Sequence, residues 1–252
     1  MTAPQADIGV FGGSGLYRFL DDVEEHEVET PYGTPAAPVA IGAVGDRRVA
    51  FLPRHGTRHQ LPPHRVPYRA NVWAMRQLGV RALLAPCAAG SLQPTIHPGH
   101  VVVLDQLVDR TWGRPDTFHD SFDEGPVHVS LADPYDPALR ALVVEEARAQ
   151  GLVVHERGTV TVVNGPRFST RAESAAYRQA GWHVINMTQH PEAALAREAG
   201  IPFAGIALVT DHDAGLEGVD GIQAVTQEEV FAVFEANLAA LRTLLLAVVA
   251  RA

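Results

Sequence analysis

The stretch that decides the fold is DIGVFGGSG, residues 7–15. Its apolar run, Asp7–Phe11, leads directly into a glycine-rich turn, which is a common beginning of an α/β domain. The backbone N–H groups of such a turn can bind an anion. Ser14 adds a hydroxyl donor beside them. The stretch therefore predicts a first strand followed by either a plain tight turn or an anion-binding loop.

Outward from this stretch, apolar runs alternate with helical patterns. We predict further strands at Arg48–Leu52, Ala82–Ala85, Val101–Leu104, Thr159–Val163, Val184–Asn186 and Phe203–Val209. We predict helices at Tyr68–Leu78, Pro137–Gln150, Arg171–Ala180, Pro191–Glu198 and Gln227–Val249. This alternation indicates an α/β fold. Because the chain shows no linker or repeat, we expect a single domain over residues 1–252.

One segment, Arg110–Asp136, fits neither pattern. Long loops in compact domains are often functional or lie at interfaces. We therefore expect this loop to contribute to a site or to a contact with another subunit.

Composition excludes several classes of protein. A net charge of −9 argues against a nucleic-acid-binding protein, which would carry a basic face. We see no uninterrupted apolar run of about 20 residues, so we expect no membrane span. Cys87 is the single cysteine, which is typical of a cytoplasmic protein without disulfides. The N-terminal residues lack the pattern of a secretory signal.

Two sites with a known sequence signature are disfavoured. A dinucleotide-binding GXGXXG motif would need a third glycine where this chain has Arg18. Asp211 and Asp213 follow an apolar strand and could bind a metal or cap a helix, but no third ligand stands near them in sequence. We therefore expect no metal site.

Two further segments carry residues suited to an anion. Arg54 and His55 follow the second predicted strand, where open α/β sheets place their ligands. Arginine offers a planar fork for phosphate, and histidine offers a second donor. Read alone, this pair could equally be a charged surface pair. Ala88–Ser91 follows the third predicted strand, and its small residues would let backbone N–H groups approach a ligand closely.

Residues suited to a flat ring or to proton transfer follow later strands. Phe168 lies between a strand and a helix, where it could stack on a heterocycle or belong to the core. Asp211 and Asp213 are two residues apart at a strand end and should point to the same side. The nearness of one carboxylate could raise the pKa of the other.

Taken together, the motifs resemble those of the methylthioadenosine phosphorylase family, one of the trimeric purine nucleoside phosphorylases. The resemblance runs in order from Ile8 to Asp213 and rests on GGSGL 12–16, PRHG 53–56, YRAN 68–71, AGSL 89–92, DRT 109–111, GPRF 165–168, RAE 171–173, NMT 186–188 and PEAALARE 191–198. It implies a twisted mixed sheet, partly closed into a barrel and flanked by helices, in a homotrimer.

The resemblance also implies roles for single residues. Those of the phosphate site would be Ser14, Arg54, His55, Cys87, Ala88 and Thr188. Those that bind the nucleoside would be Met187 on the ribose, Phe168 against the base, Glu192, Asp211 and Asp213, with His128 reaching the 5′ pocket of a neighbouring subunit. No metal or organic cofactor is implied, and inorganic phosphate would be the co-substrate.

The sequence departs from the family at two places. Cys87 stands where related enzymes often have a threonine that donates to phosphate. Gln189 and His190 replace a smaller Thr-Val pair. Both departures lie beside the base and ribose contacts that the resemblance implies, so they bear on the preferred purine more than on the reaction itself.

The reaction that the resemblance implies needs stabilisation at both ends of the glycosidic bond. Asp211 is the candidate general acid for N7 of the leaving purine, with a pKa raised by burial and by Asp213. A carboxylate pair favours the amine of adenine, so we expect an adenine nucleoside as substrate. A phosphorylase for 6-oxopurine nucleosides and a non-catalytic nucleoside sensor stay open as alternatives.

Overall fold

In this computed structural model, residues 5–123, 125–216 and 226–252 are described. Within these ranges the chain forms an eleven-stranded mixed sheet flanked by helices. The strands are β1 Ile8–Gly12, β2 Glu24–His26, β3 Val39–Val44, β4 Arg47–Pro53, β5 Ala82–Ser91, β6 Val101–Val103, β7 Gln106–Arg110, β8 Val154–His155, β9 Thr159–Val163, β10 Val184–Asn186 and β11 Phe203–His212. The helices are α1 Tyr68–Gln77, α2 Pro137–Ala149, α3 Arg171–Gln179, α4 Gln189–Glu198 and α5 Gln227–Arg251.

The sheet branches at β5. Its main path runs β2-β3-β4-β1-β5-β10-β9-β7, while β11 also pairs with β5 and continues through β6 to β8. Strand β5 is parallel to β1 and β11 and antiparallel to β10. The α/β fold with a mixed sheet is confirmed, whereas its partial closure into a barrel stays a prediction.

Each predicted strand and helix has a counterpart, but β5 is longer than predicted. The predicted end at Ala85, with Ala88–Ser91 following the strand, is wrong. The backbone of these small residues pairs with β11, for example Ala88 with Leu208, so the strand continues to Ser91. Helix α3 begins as the sequence indicates, because Thr170 and Glu173 form a capping box.

The C-terminal helix packs on the core. Its buried side chains are Phe234, Leu241, Leu244, Leu245, Val248 and Val249. Against the expectation of no membrane span, the part Val230–Arg251 is long and apolar enough to cross a membrane by length and composition alone. This is weak evidence, because α5 packs against β11 and α2 and Arg242 donates to the carbonyl of Phe19 at 3.0 Å. We interpret α5 as a core helix.

Candidate active site

One cavity of about 300 Å³ lies where β1, β4, β9 and β10 end and where β11 approaches its end. This volume is at the lower limit of small-molecule sites. Most of the residues singled out in the sequence line it, namely Ser14, Arg54, His55, Cys87, Ala88, Phe168, Met187, Thr188, Asp211 and Asp213. The fold therefore brings residues from six separate segments into one site.

Arg54 is a buried charged group in the part of the cavity where the sequence predicts a phosphate site. Only 1% of its surface is exposed, and its Nη1 donates to the carbonyl of Pro86 at 2.9 Å. Nε and Nη2 donate to the two carboxylate oxygens of Glu192 at 2.6 and 3.1 Å. This two-point pairing fixes the guanidinium plane at the cavity wall.

Glu192 does not lie where the resemblance placed it. It is fully buried, it does not line the cavity, and both of its carboxylate oxygens are bound to Arg54. Burial raises the pKa of its carboxyl, and the adjacent guanidinium opposes that shift. The predicted nucleoside contact is therefore corrected to a contact that orients the arginine.

The ring of His55 has a defined hydrogen-bonding direction. Its Nδ1 lies 2.8 Å from the carbonyl of Leu61, which can only accept, so Nδ1 must carry the proton. Burial, assisted by the charge of Arg54, lowers the pKa of His55 to about 3, so the ring is neutral at physiological pH. Its Nε2 is then an acceptor, suited to the P–OH of hydrogen phosphate rather than the donor that the sequence indicated.

The two departures from the family pattern touch each other. Nε2 of Gln189 donates to the carbonyl of Ala85 at 3.0 Å and approaches Sγ of Cys87 at 3.6 Å. Burial raises the pKa of the Cys87 thiol to about 12, so it remains protonated and unreactive. Sequence reasoning named both residues but had no means of pairing them across about 100 positions.

The two carboxylates Asp211 and Asp213 also line the cavity. Thr210 donates from Oγ1 to Oδ1 of Asp211 at 2.7 Å. A Cβ at Gly90 would lie 2.9 Å from Oδ2 of Asp211, so the glycine permits this carboxylate to lie directly against β5. Phe168 is 41% exposed at the cavity, which leaves its ring available to a ligand.

Asp213 differs from its neighbour in burial. It is 2% exposed, and its Oδ2 has no hydrogen-bond partner among the described residues. Burial raises the pKa of Asp213, against hydrogen bonds from Ser174 and from the N–H of Ala214. Burial thus raises the pKa of the second carboxylate of the pair, whereas the raised pKa predicted for Asp211 stays a prediction.

His128 lies outside the cavity of its own chain. It is exposed in the loop after β7, with its ring 5.6 Å from that of Phe122. Its predicted contact with a neighbouring subunit stays a prediction. Among the described residues, no group of three or more His, Cys, Asp or Glu side chains could hold a metal ion.

Several residues of the cavity wall were not predicted from the sequence, among them His59, Pro63, Val230 and Phe231. The ring of His59 stacks on that of His55, with the ring centroids 4.4 Å apart. Its Nδ1 forms a hydrogen bond of 2.9 Å with the hydroxyl of Tyr17. The φ of His59, +55°, is unusual for a residue other than glycine. Val230 and Phe231 of α5 complete the wall. The repeated histidine after Arg54 was a visible signal, whereas an apolar C-terminal helix gave none.

Comparison with known proteins gives this site its context. Residues 7–250 match the profile of the phosphorylase superfamily. The chain is 55% identical to the S-methyl-5′-thioadenosine phosphorylase of Mycolicibacterium smegmatis, over 92% of this chain and 85% of that protein. It is 52% identical to the purine nucleoside phosphorylase of Streptomyces coelicolor, over 98% and 89% of the two chains.

A solved structure agrees with the sequence relatives. Methylthioadenosine phosphorylase from Schistosoma mansoni in complex with adenine superimposes with a TM-score of 0.92 at 37% identity, covering 98% of this chain and 91% of that one. The chain therefore belongs to the S-methyl-5′-thioadenosine phosphorylase family of the phosphorylase superfamily.

Proposed function

We propose that this enzyme cleaves the N-glycosidic bond of S-methyl-5′-thioadenosine with inorganic phosphate, giving adenine and 5-methylthioribose 1-phosphate. The observation that carries the proposal is the polarity of one cavity. Arg54 donates to the carbonyl of Pro86 on β5, whereas Asp211 lies against Gly90, four residues further along the same strand. The basic and acidic groups therefore line separate parts of one cavity. The relatives named as methylthioadenosine phosphorylases support the substrate.

The phosphate end positions the nucleophile. Ser14 and Thr188 provide hydroxyl donors, and Arg54 provides a fixed positive charge. Nε2 of neutral His55 accepts a hydrogen bond from the P–OH group of hydrogen phosphate. Holding phosphate beneath C1′ replaces a random encounter with an oriented one. A phosphate oxygen then forms the bond to C1′ as the bond from C1′ to N9 breaks, and the electron pair leaves with the purine.

The carboxylate end receives the leaving group. We assign Asp211 to N7, where a proton or hydrogen bond neutralises the charge that develops on the purine. Asp213 is assigned to the exocyclic group at position 6. Its unpartnered Oδ2 provides the acceptor that an adenine amine needs.

A 6-oxopurine nucleoside phosphorylase is the second candidate, and a specific observation favours it. Burial raises the pKa of Asp213, and a protonated carboxyl could donate to a carbonyl at position 6. The Streptomyces relative is named a purine nucleoside phosphorylase. The test compares release of free base from methylthioadenosine, methylthioinosine and inosine, with and without phosphate.

Each outcome of that assay is informative. Phosphate-dependent release that is fastest from methylthioadenosine supports the proposal, while faster release from methylthioinosine supports the alternative. Binding without any base release would identify a nucleoside sensor. Activity that a chelator abolishes and one divalent metal restores would contradict the proposal that phosphate is the co-substrate and that no metal or organic cofactor takes part.

We also propose a homotrimer in the cytoplasm. The loop that follows β7 exposes Trp112, Phe122, Val127 and Val129, which supports a surface that another copy covers. The free, buried thiol of Cys87 supports a reducing compartment. Sedimentation of the purified protein tests the assembly, with a monomer as the contrary result.

A further inference from the structure

Arg114, in the loop between β7 and α2, is half-buried behind the cavity and does not line it. Its Nη1 donates to the carbonyls of Met187 at 2.9 Å and His190 at 2.7 Å. Its Nη2 donates to the carbonyl of Asn164 at 2.9 Å, and its Nε to the side-chain oxygen of the same residue at 3.1 Å. One side chain thus makes four short contacts, three of them with backbone.

These acceptors belong to two segments that form adjacent parts of the cavity wall. Met187 directly follows β10 and lines the cavity. Asn164 directly follows β9, next to Val163, which also lines it. Strands β9 and β10 are paired, but beyond their ends no ladder connects the two segments. Arg114 provides that connection.

The guanidinium is itself held in place. It lies over the ring of Tyr68, with its central carbon 5.2 Å from the ring centroid. The hydroxyl of Tyr68 donates to the carbonyl of Pro63, a cavity-lining residue, at 2.8 Å. Burial lowers the pKa of Arg114, which shows that removing this charge from water is unfavourable. Carbonyl oxygens from three residues offset that penalty.

The geometry requires arginine. Its five N–H donors have fixed directions in one plane, so they can reach carbonyls on two segments at once. A lysine presents its charge at one point and could bind one segment without fixing its distance from the other. A methionine would fill the space without donating.

We propose that Arg114 is a positioning residue for the ribose of the nucleoside, acting through the backbone of Met187. The inference rests on the proposed function, with the ribose contact that the family resemblance implies for Met187 and with the carboxylates on the base. Loss of Arg114 should therefore weaken recognition of the sugar far more than recognition of the free base, because Arg114 bonds the backbone of Met187 directly but reaches the segment of Phe168 only at Asn164. A residue with a merely structural role would affect both alike.

The experiment compares binding of adenine with binding of methylthioadenosine, in the absence of phosphate, to the full chain and to Arg114→Met and Arg114→Lys. For Arg114→Met we expect the Kd of methylthioadenosine to rise at least tenfold and that of adenine to change less than twofold. Turnover with phosphate should fall at least tenfold, and Arg114→Lys should lie between. The matched control is Arg110→Met, since Arg110 is exposed over the ring of Trp182 and away from the cavity.

A proportional loss for both ligands, or no loss for either, would overturn the positioning role. Arg114→Lys retains the charge and gives a folded comparison if the methionine variant is unstable. Failure of the proposed function is seen separately, because it appears in the unmodified enzyme as the absence of adenine release. In that case the same comparison is made with hypoxanthine and methylthioinosine.

Discussion

Replacing Glu192 with glutamine decides between two roles for this carboxylate. As a nucleoside contact, it would affect the nucleoside KM and leave stability almost unchanged. As the buried partner of Arg54, it neutralises a guanidinium that is 1% exposed. Glutamine retains the size but supplies one acceptor oxygen and places an NH₂ against the second guanidinium N–H. The arginine is then left as a buried, poorly compensated charge.

The magnitude follows from that burial. Breaking one side of a buried ion pair destabilises a protein by about 3–5 kcal/mol. For a domain of roughly this size, each kcal/mol lowers Tm by about 2–4 °C. We therefore expect Glu192→Gln to lower Tm by about 6–20 °C.

The assay is thermal unfolding with and without phosphate, together with the KM of each substrate. Phosphate stabilises the folded state that binds it. Since phosphate can also neutralise Arg54, it should raise Tm more in Glu192→Gln than in the unmodified enzyme. The control is Asp21→Asn, which removes an exposed partner of Arg242 at 3.0 Å and should change stability by less than about 1 kcal/mol. An unchanged Tm together with a raised nucleoside KM would refute the reasoning and restore the nucleoside contact.

Three other outcomes can be measured directly. Asp211→Asn should lower methylthioadenosine turnover by about 10²–10⁴-fold, the range for a lost general acid; full activity in a steady-state assay would exclude that role. Asp213→Asn should change the ratio of 6-amino to 6-oxo turnover more than the total rate, and an unchanged ratio would place purine selection elsewhere. The unfolded chain binds a proton at His55 near pH 6.5, whereas burial lowers the pKa in the folded chain to about 3. Stability from this residue is therefore present above pH 6.5 and is lost as the pH falls toward 3, by about 2 kcal/mol at pH 5. Urea unfolding at pH 7 and pH 5 checks this. Between these two pH values, the control His64→Asn, at an exposed histidine, keeps His55 and should lose about as much stability as the unmodified enzyme, whereas His55→Asn should lose less.

The sequence indicated the central strands well and the peripheral ones poorly. Runs of Val, Ile and Leu mark β1, β4 and β9 clearly, since strands buried on both faces need apolar residues throughout. The short strands β2, β7 and β8 are partly exposed, carry polar residues and escaped prediction. β3, with the sequence VAIGAV, also escaped, because a short apolar run with a glycine inside it gives no clear period.

For the candidate site, the sequence likewise predicted one aspect well and another poorly. Glycine turns and strand ends revealed its location, because ligands of α/β sheets bind at strand ends. What the sequence could not reveal was which polar groups face the cavity and which face each other. Arg54 and Glu192 are 138 positions apart, and only their packing shows that the carboxylate binds the arginine. The direction of the His55 hydrogen bond likewise depends on a carbonyl that no motif identifies.

Strand β5 passes both ends of the cavity. Cys87 and Ala88 lie beside the residues of the predicted phosphate site, whereas Gly90 lies against Asp211. Three residues of extended chain span roughly 10 Å, so in the proposed reaction this one strand would set the spacing between the attacking phosphate and the departing purine. This fixed distance along β5 would limit the length of the nucleoside that fits between the two groups. A change of substrate would then come from substitutions of side chains along β5 and in the part of the wall that α5 forms. The spacing between the phosphate and the purine would stay the same.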